Sequence, residues 1–205
     1  KYPILNAAID PDTDDVLFRQ YINIGIGIDS ERGLIAPVIR NIDAMSIGEI
    51  SHQLDQITEN ARSASFSIAD TKGATYTVSN AGAVGQTRYS TPIIQQGTVA
   101  CLAVGRARPM PWVVENEIVK RLILPLSHSI DHRLIDGGRE ILFIEHLIND
   151  LEQAMVSAAR KHFNSLDTEE FTCSIEPISG EIRLWRHDEF GEQEEIPIED
   201  LGRFP

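Results

Sequence analysis

The sequence predicts an α/β domain with a small β-hairpin appended at its C-terminal end. Three observations point there. Segments with strand period are interleaved with two segments of helical period. The 42% apolar content of 205 residues is enough for one full core. The charge also changes along the chain: residues 1–155 carry 13 basic and 19 acidic side chains, residues 156–205 carry 5 and 12, so the last quarter holds −7 of the net −13. That step predicts a boundary near residue 155, giving a domain over 1–155 and an acidic appendage over 156–205.

Taken in order, residues 1–19 read as loop, with Pro3, Pro11 and a run of carboxylates at Asp12, Asp14 and Asp15. Over Gln20–Asp29, Ile22, Ile24, Ile26 and Ile28 alternate with Tyr21, Asn23, Gly25 and Gly27. That is period two, and the glycines imply that another backbone comes close. Glu31-Arg32-Gly33 reads as a turn, and Leu34–Ile39 as a short strand that Pro37 confines to an edge or a bulge. Ser46 with Glu49 three residues on is a capping box, and Ile47, Ile50, Leu54, Ile57 and Ala61 then recur at helical spacing, predicting a helix over 47–63. A strand over Ala74–Ser79 leads into a long loop over 80–92. Val99–Val104 is apolar and strand-like, and segments flanking Asn116 form a hairpin. Leu122, Leu124, Leu126, His128 and Ile130 alternate up to a polar stretch at 131–138. A helix then runs over 138–160, with Ile141, Ile144, Leu147, Ile148 and Leu151 as its buried stripe. Phe171–Glu176 and Glu181–His187 read as the appended hairpin.

Composition excludes some functions. The acidic balance disfavours direct nucleic-acid binding, which requires Lys and Arg against phosphate. No apolar run reaches the length of a membrane span, and no leader pattern precedes the first strand. Cys101 and Cys173 stand far apart, which predicts two reduced structural thiols in a cytoplasmic protein and no zinc site.

The chemistry concentrates in Asp131-His132-Arg133-Leu134-Ile135-Asp136-Gly137. His132 is the side chain suited to moving a proton near neutral pH, and Asp136 can order the loop by pairing with a cation. Acyl transfer between thiols needs a base for the attacking thiol and a donor for the oxyanion, with no enzyme nucleophile. A hydroxyl from elsewhere in the chain must be that donor. Arg133 reads as an ion-pair partner, Asp131 as a loop-orienting residue, His128 as a partly buried structural histidine, and Gly25 and Gly27 as packing positions.

The D-H-R-x-x-D-G core resembles the catalytic domain of dihydrolipoamide acyltransferases, the E2 components of 2-oxo acid dehydrogenase complexes. Three further blocks resemble that family in the same order: Leu5-Asn6-Ala7, then Asn23–Asp29 with Gly33–Ile39, then Thr77-Val78-Ser79-Asn80-Ala81-Gly82 with Thr91-Pro92-Ile93-Ile94. The resemblance implies a two-layer sandwich like that of chloramphenicol acetyltransferase, a mixed sheet with packed helices, assembled as homotrimers or larger oligomers. It implies a channel at the subunit interface, entered by coenzyme A from one end and by a lipoyl group, carried on a separate lipoyl domain, from the other. It implies His132 as general base, Ser79 of a neighbouring subunit as the hydroxyl that stabilises the tetrahedral intermediate, and Asp136 as the loop-ordering carboxylate. The acyl group expected is acetyl, with succinyl or a branched acyl group as the alternatives, and the other subunits of the complex would be partners. No coenzyme A contact residue is implied.

Three departures accompany the resemblance. The family's catalytic domain begins well upstream of the block matched by Leu5-Asn6-Ala7, so an N-terminally truncated piece is expected, without the arginine that pairs with the Asp136 position. The alternative is then a catalytically impaired structural core. Gln95-Gln96-Gly97-Thr98-Val99 also replaces the family's N-x-P-E-V. In the tail, Ala159-Arg160-Lys161-His162-Phe163 and Cys173–Leu184 resemble the RNA-polymerase-binding N-terminal domain of the NusA transcription factor, which implies RNA polymerase as a further partner and a transcription-linked role.

Overall fold

The structure is a computed structural model, and it describes residues 1–30, 33–63, 65–85, 87–114, 116–165, 171–175, 182–187 and 193–196. The chain divides into two compact units, Lys1–Ile141 and Leu142–Pro205.

In the first unit the N-terminal segment is more ordered than its loop-like composition suggests. A 3-10 turn at Pro3–Asn6 leads to β1 (Ala7–Ile9), which pairs antiparallel with β2 (Val16–Phe18). Strands of three residues are too short to show a period, which is why the sequence hides them. Asn6 ties this hairpin to the chain just beyond β2, its side-chain amide donating to the carbonyls of Arg19 and Tyr21.

β3 (Ile24–Ser30) pairs antiparallel with β4 (Gly33–Ile35), with Ser30 opposite Gly33, and Gly33 has φ +100°. Glu31 and Arg32 of the expected turn lie outside the described residues. Leu34–Ile39 is not one strand. It breaks at Ala36-Pro37, after which β5 (Val38–Ile39) pairs with the start of β3. Proline has no N–H for the ladder, so the chain bends there, and the Pro37 carbonyl accepts from Ile26 N–H.

α1 (Ile47–Arg62) starts at the expected capping box, Ser46 and Glu49 bonding reciprocally, and packs against β3 and β5. Its apolar stripe is covered unevenly: Ala61 is buried and Ile50 and Ile57 are half-buried, but Ile47 and Leu54 are exposed. β6 (Tyr76–Asn80) runs parallel to β3. The expected loop over 80–92 begins with a single helical turn, α2 (Ala81–Val84), which Asn80 caps by accepting from Ala83 N–H. β7 (Ala100–Val104) runs parallel to β6, and the hairpin β8 (Arg108–Val114) and β9 (Glu117–Ile123) forms a separate two-stranded sheet turning at Asn116, φ +69°. Pro125 interrupts the long alternation after β9, so β10 (Leu126–Ile130) is a distinct strand, antiparallel to β7.

The main sheet is therefore mixed and six-stranded, in the order β10-β7-β6-β3-β4 with β5 beside β3. The expected α/β class is what the chain adopts. The core centres on β7, where Ala100, Cys101, Leu102 and Ala103 are buried, together with Val99 just before it and with Ala7, Ile39, Ala61 and Ile135.

α3 (Gly137–Ser165) comes directly after the turn that ends β10. The stripe expected to be buried along it is open: Ile141, Ile148 and Leu151 are exposed and Ile144 and Leu147 half-buried. In the second unit the appendage is a three-stranded antiparallel sheet rather than a hairpin, in the order β11 (Phe171–Ile175), β12 (Ile182–His187), β13 (Gln193–Ile196). The turn expected at Ile178-Ser179-Gly180 lies outside the described residues. Among the described residues no helix is long and apolar enough to cross a membrane.

Candidate functional site

His132 lies two residues beyond the end of β10, on an exposed turn that ends where α3 begins. The turn is held at both ends. At its entry, Asp131 N–H donates to Val99 O at 2.8 Å, continuing the β10–β7 ladder by one bond, and the Asp131 carbonyl accepts from Leu134 and Ile135 at 3.0 Å each. The Asp131 carboxylate takes a forked bond from Arg133, Nε–Oδ1 3.0 Å and Nη2–Oδ2 2.6 Å, and this pairing holds the carboxyl below its ordinary range. The ion pair expected for Arg133 is thus present, and it brackets His132 from both sides. Ile135, 1% exposed, plugs the turn into the core.

At the exit, Asp136 caps α3. Its Oδ1 accepts from Arg139 N–H at 2.9 Å and its carbonyl from Glu140 N–H at 3.1 Å. The Arg139 amide bond is the main cause that lowers the Asp136 pKa, with the nearby Arg139 guanidinium, 3.5 Å from Oδ2, adding to it. Asp136 therefore finds local partners and is not left waiting for a distant arginine. The signal was readable: an aspartate directly before a helical pattern is an N-cap.

A cleft of about 460 Å³ opens beside this turn, lined by Asp131 and Arg133, by Ile94, and by Gln95, Gln96 and Thr98 of the segment that departs from the family's pattern. Arg19 Nη2 holds that segment through Gly97 O at 2.7 Å.

Ser79 lies at the other end of the sheet. It is the fourth residue of β6, beside Gly27 of β3 on one side and Ala103 of β7 on the other. The two expected packing glycines make room for β6. A methyl group on Gly25 would meet Ala74 Cβ at 3.2 Å and Thr77 Oγ1 at 3.3 Å, and one on Gly27 would meet Ser79 Oγ at 3.3 Å. After Ser79 the chain is pressed against β7: a Cβ on Gly82 would fall 2.5–2.6 Å from the backbone of Gly105 and Arg106. Sequence reading passed over Gly82, whose role depends on a neighbour more than 20 positions away.

Register fixes how far apart the two candidate groups are. Ser79 is level with Ala103 and, across β7, with Ser127, whereas Ile130, the last residue of β10, is level with Ala100. Those three residues span about 10 Å along the strands, and two strand spacings add about 10 Å across them. His132 is two residues further on. One chain therefore keeps Ser79 and His132 towards opposite ends of its own sheet, while His132 and Asp136 share one turn.

His128, by contrast, faces inward, its side chain 3% exposed, with its ring stacked on Tyr76. Cys101 is a free, buried thiol whose pKa burial pushes up.

Residues 1–158 match the model of the 2-oxoacid dehydrogenases acyltransferase catalytic domain. The chain is 39% identical over 161 residues to the dihydrolipoyllysine-residue acetyltransferase component of the pyruvate dehydrogenase complex of Bacillus subtilis, a match covering 77% of this chain and 36% of that protein. The chain thus spans about a third of the length of the curated relatives it matches. It also superposes on the dihydrolipoamide acetyltransferase of Azotobacter vinelandii with a TM-score of 0.65 at 36% identity, covering 71% of this chain and 59% of that one. That structure comes from work on a serine, a histidine and an asparagine in the enzyme's catalytic mechanism. The cubic core of the pyruvate dehydrogenase multienzyme complex is similar to the same degree, with a TM-score of 0.65 at 35% identity over 71% of this chain and 59% of that one. The comparisons give no support to the likeness between the tail and a transcription factor, and the RNA polymerase partner drawn from it is set aside. Sequence blocks, fold and the solved relatives agree that the chain belongs to the family of 2-oxoacid dehydrogenase acyltransferase catalytic domains.

Proposed function

We propose that this chain is an acyl-transfer core that moves an acetyl group between dihydrolipoamide, presented by a separate lipoyl domain, and coenzyme A. The observation that carries the reading is the family match, which spans both His132 and Ser79. In the Azotobacter relative the histidine and the asparagine stand four positions apart, as His132 and Asp136 do here. Asparagine caps a helix about as well as aspartate, so the capping role assigned to Asp136 suits both residues.

In this mechanism His132 removes the proton from the attacking thiol. The thiolate adds to the thioester carbon, a new C–S bond forms, and the carbonyl electrons move onto oxygen. Ser79 donates a hydrogen bond to that oxyanion. The intermediate then collapses, the original C–S bond breaks, and the departing thiolate takes the proton back from His132. Asp136 holds the turn and touches neither substrate. Ser79 and His132 lie towards opposite ends of one chain's sheet, so the site combines His132 of one copy with Ser79 of another. This calls for a homotrimer or larger assembly, as in the cubic core of the relative. Other subunits of a 2-oxo acid dehydrogenase complex are the partners this implies. The free thiol of Cys101 suits a cytoplasmic setting. Residues 156–205 are read as an appended module, since the family match ends at 158.

His132→Ala is expected to lower kcat in a thiol–thioester exchange assay by about 10²–10⁴-fold while leaving assembly intact. Turnover at the wild-type rate would remove the assignment. The broad exposure of apolar side chains favours a second reading, a structural core without catalysis. An oligomer with no measurable affinity for coenzyme A would select it.

A further inference from the structure

A contact between β10 and the first turn of α3 spans the base of the turn that carries His132. His128 stands four residues before His132, and Glu140 four residues after Asp136. Nδ1 of His128 lies 3.4 Å from Oε1 of Glu140. The His128 ring stacks on Tyr76 with centroids 6.0 Å apart and planes 29° apart. Glu140 also donates its backbone N–H to Asp136 O at 3.1 Å. One residue of the first turn of α3 thus reaches the strand before the catalytic turn with its side chain, and the last residue of that turn with its backbone. A buried imidazole at this position costs more desolvation than the aliphatic side chains that flank it in the strand alternation, Leu126 and Ile130. Its placement opposite a carboxylate calls for a function.

We propose that His128 and Glu140 form a latch that closes the base of the turn and positions His132 for proton transfer, an inference that rests on reading His132 as the general base. Both are positioning residues. Among the described residues, the titratable groups that face the imidazole and its neighbours include the Tyr76 phenol from β6, the Cys101 thiol from β7 and the Glu140 carboxylate from α3. Burial raises the pKa of both the phenol and the thiol, so they stay neutral near neutral pH and Glu140 supplies the only charge among the three. Burial lowers the proton affinity of His128, and the Glu140 carboxylate opposes that shift.

The test uses the full chain carrying Glu140→Gln, His128→Phe or both, in exchange between acetyl-coenzyme A and dihydrolipoamide. Each single variant is expected to lower kcat about tenfold, the cost of a small misplacement of a reacting group, with the KM for both thiols within about twofold of wild type. The double variant is expected to be no slower than either single one, because both break the same contact. The His128 ring protons, monitored by NMR, are expected to titrate at lower pH in Glu140→Gln, a readout independent of turnover. Wild-type kcat in both single variants, losses that multiply in the double variant, or an unmoved His128 titration would each overturn the latch. Thermal melts confirm that the variants are folded at the assay temperature. His132→Ala, run in parallel, separates the two ideas. If it keeps full turnover, the base reading falls and the latch with it. If it is inactive while the latch variants match wild type, only the latch falls.

Discussion

Ile135 and Asp136 are adjacent and hold the turn that carries His132 by different physics. Ile135 is the largest fully buried side chain among the described residues, and Ile135→Ala removes its buried methyl groups from the core. It is expected to cost about 2–5 kcal/mol in urea unfolding, and Ile135→Val about 0.5–1.5 kcal/mol. Equal midpoints for wild type and the alanine variant would mean that the turn is not anchored there. Asp136 works through its charge. The Arg139 amide lowers its pKa in the folded state, so its stabilising contribution is fully present above the unfolded value of about 4 and is lost as pH falls through the lower folded value. Asp136→Asn caps the same amide at every pH. The variant is therefore expected to melt close to wild type at pH 7 and to gain on it at pH 3. Melting curves at the two pH values decide this, and a constant difference between the proteins would remove the charged-cap account.

At the scale of elements, Gly82 decides how the end of β6 meets β7. Gly82→Ala would place a methyl group against the backbone of Gly105 and Arg106, and neither neighbour has a side chain there that can yield. The expected loss is about 1–3 kcal/mol, together with a fall in kcat because Ser79 is only three residues away. Wild-type stability would show that the one-turn helix moves freely. The same contrast between near and far partners separates what was legible in the sequence from what was not. Ser46 and Glu49 need only each other, three residues apart, and the helix started where they stand. Asn116 takes the left-handed conformation its hairpin requires, again a local matter. An ion pair for Arg133, the β3 alternation and the four family blocks were legible for the same reason. The burial of the helix stripes was not. Period shows which face is apolar, while Ile141 and Ile47 remain exposed because nothing among the described residues covers them. β1 and β2 were too short to show a pattern, and Pro37 split one expected strand into two. The distance between Ser79 and His132 depends on which strands pair and in which direction, which no single segment encodes.

At the scale of the molecule, the first unit has a core made mainly of small side chains and an apolar exterior. Ile93 is 88% exposed and Ile47 84%, and Leu34, Ile68, Trp112, Ile118 and Leu122 are also exposed. Exposed apolar side chains of this kind suit surfaces that the assembly proposed above would cover. Ile93 stands between Thr91 and the cleft-lining Ile94, close to the region where a shared site would form. Sharing of the site between copies can be tested directly. His132→Ala and Ser79→Ala chains are each expected to be inactive alone. Co-expressed at equal levels and assembled at random, they form sites in which the His132 donor and the Ser79 donor are drawn independently. About a quarter of the sites then pair an intact His132 with an intact Ser79. Exchange activity should therefore return to about a quarter of wild type in the mixed oligomer. Mixing the two after each has assembled separately should restore none of it, provided that subunits do not exchange. Return of activity only in the co-expressed sample is a result that a site contained within one chain cannot produce. Persistent inactivity in mixed oligomers of normal size would mean that a single chain supplies both Ser79 and His132 to a site, and would overturn the sharing.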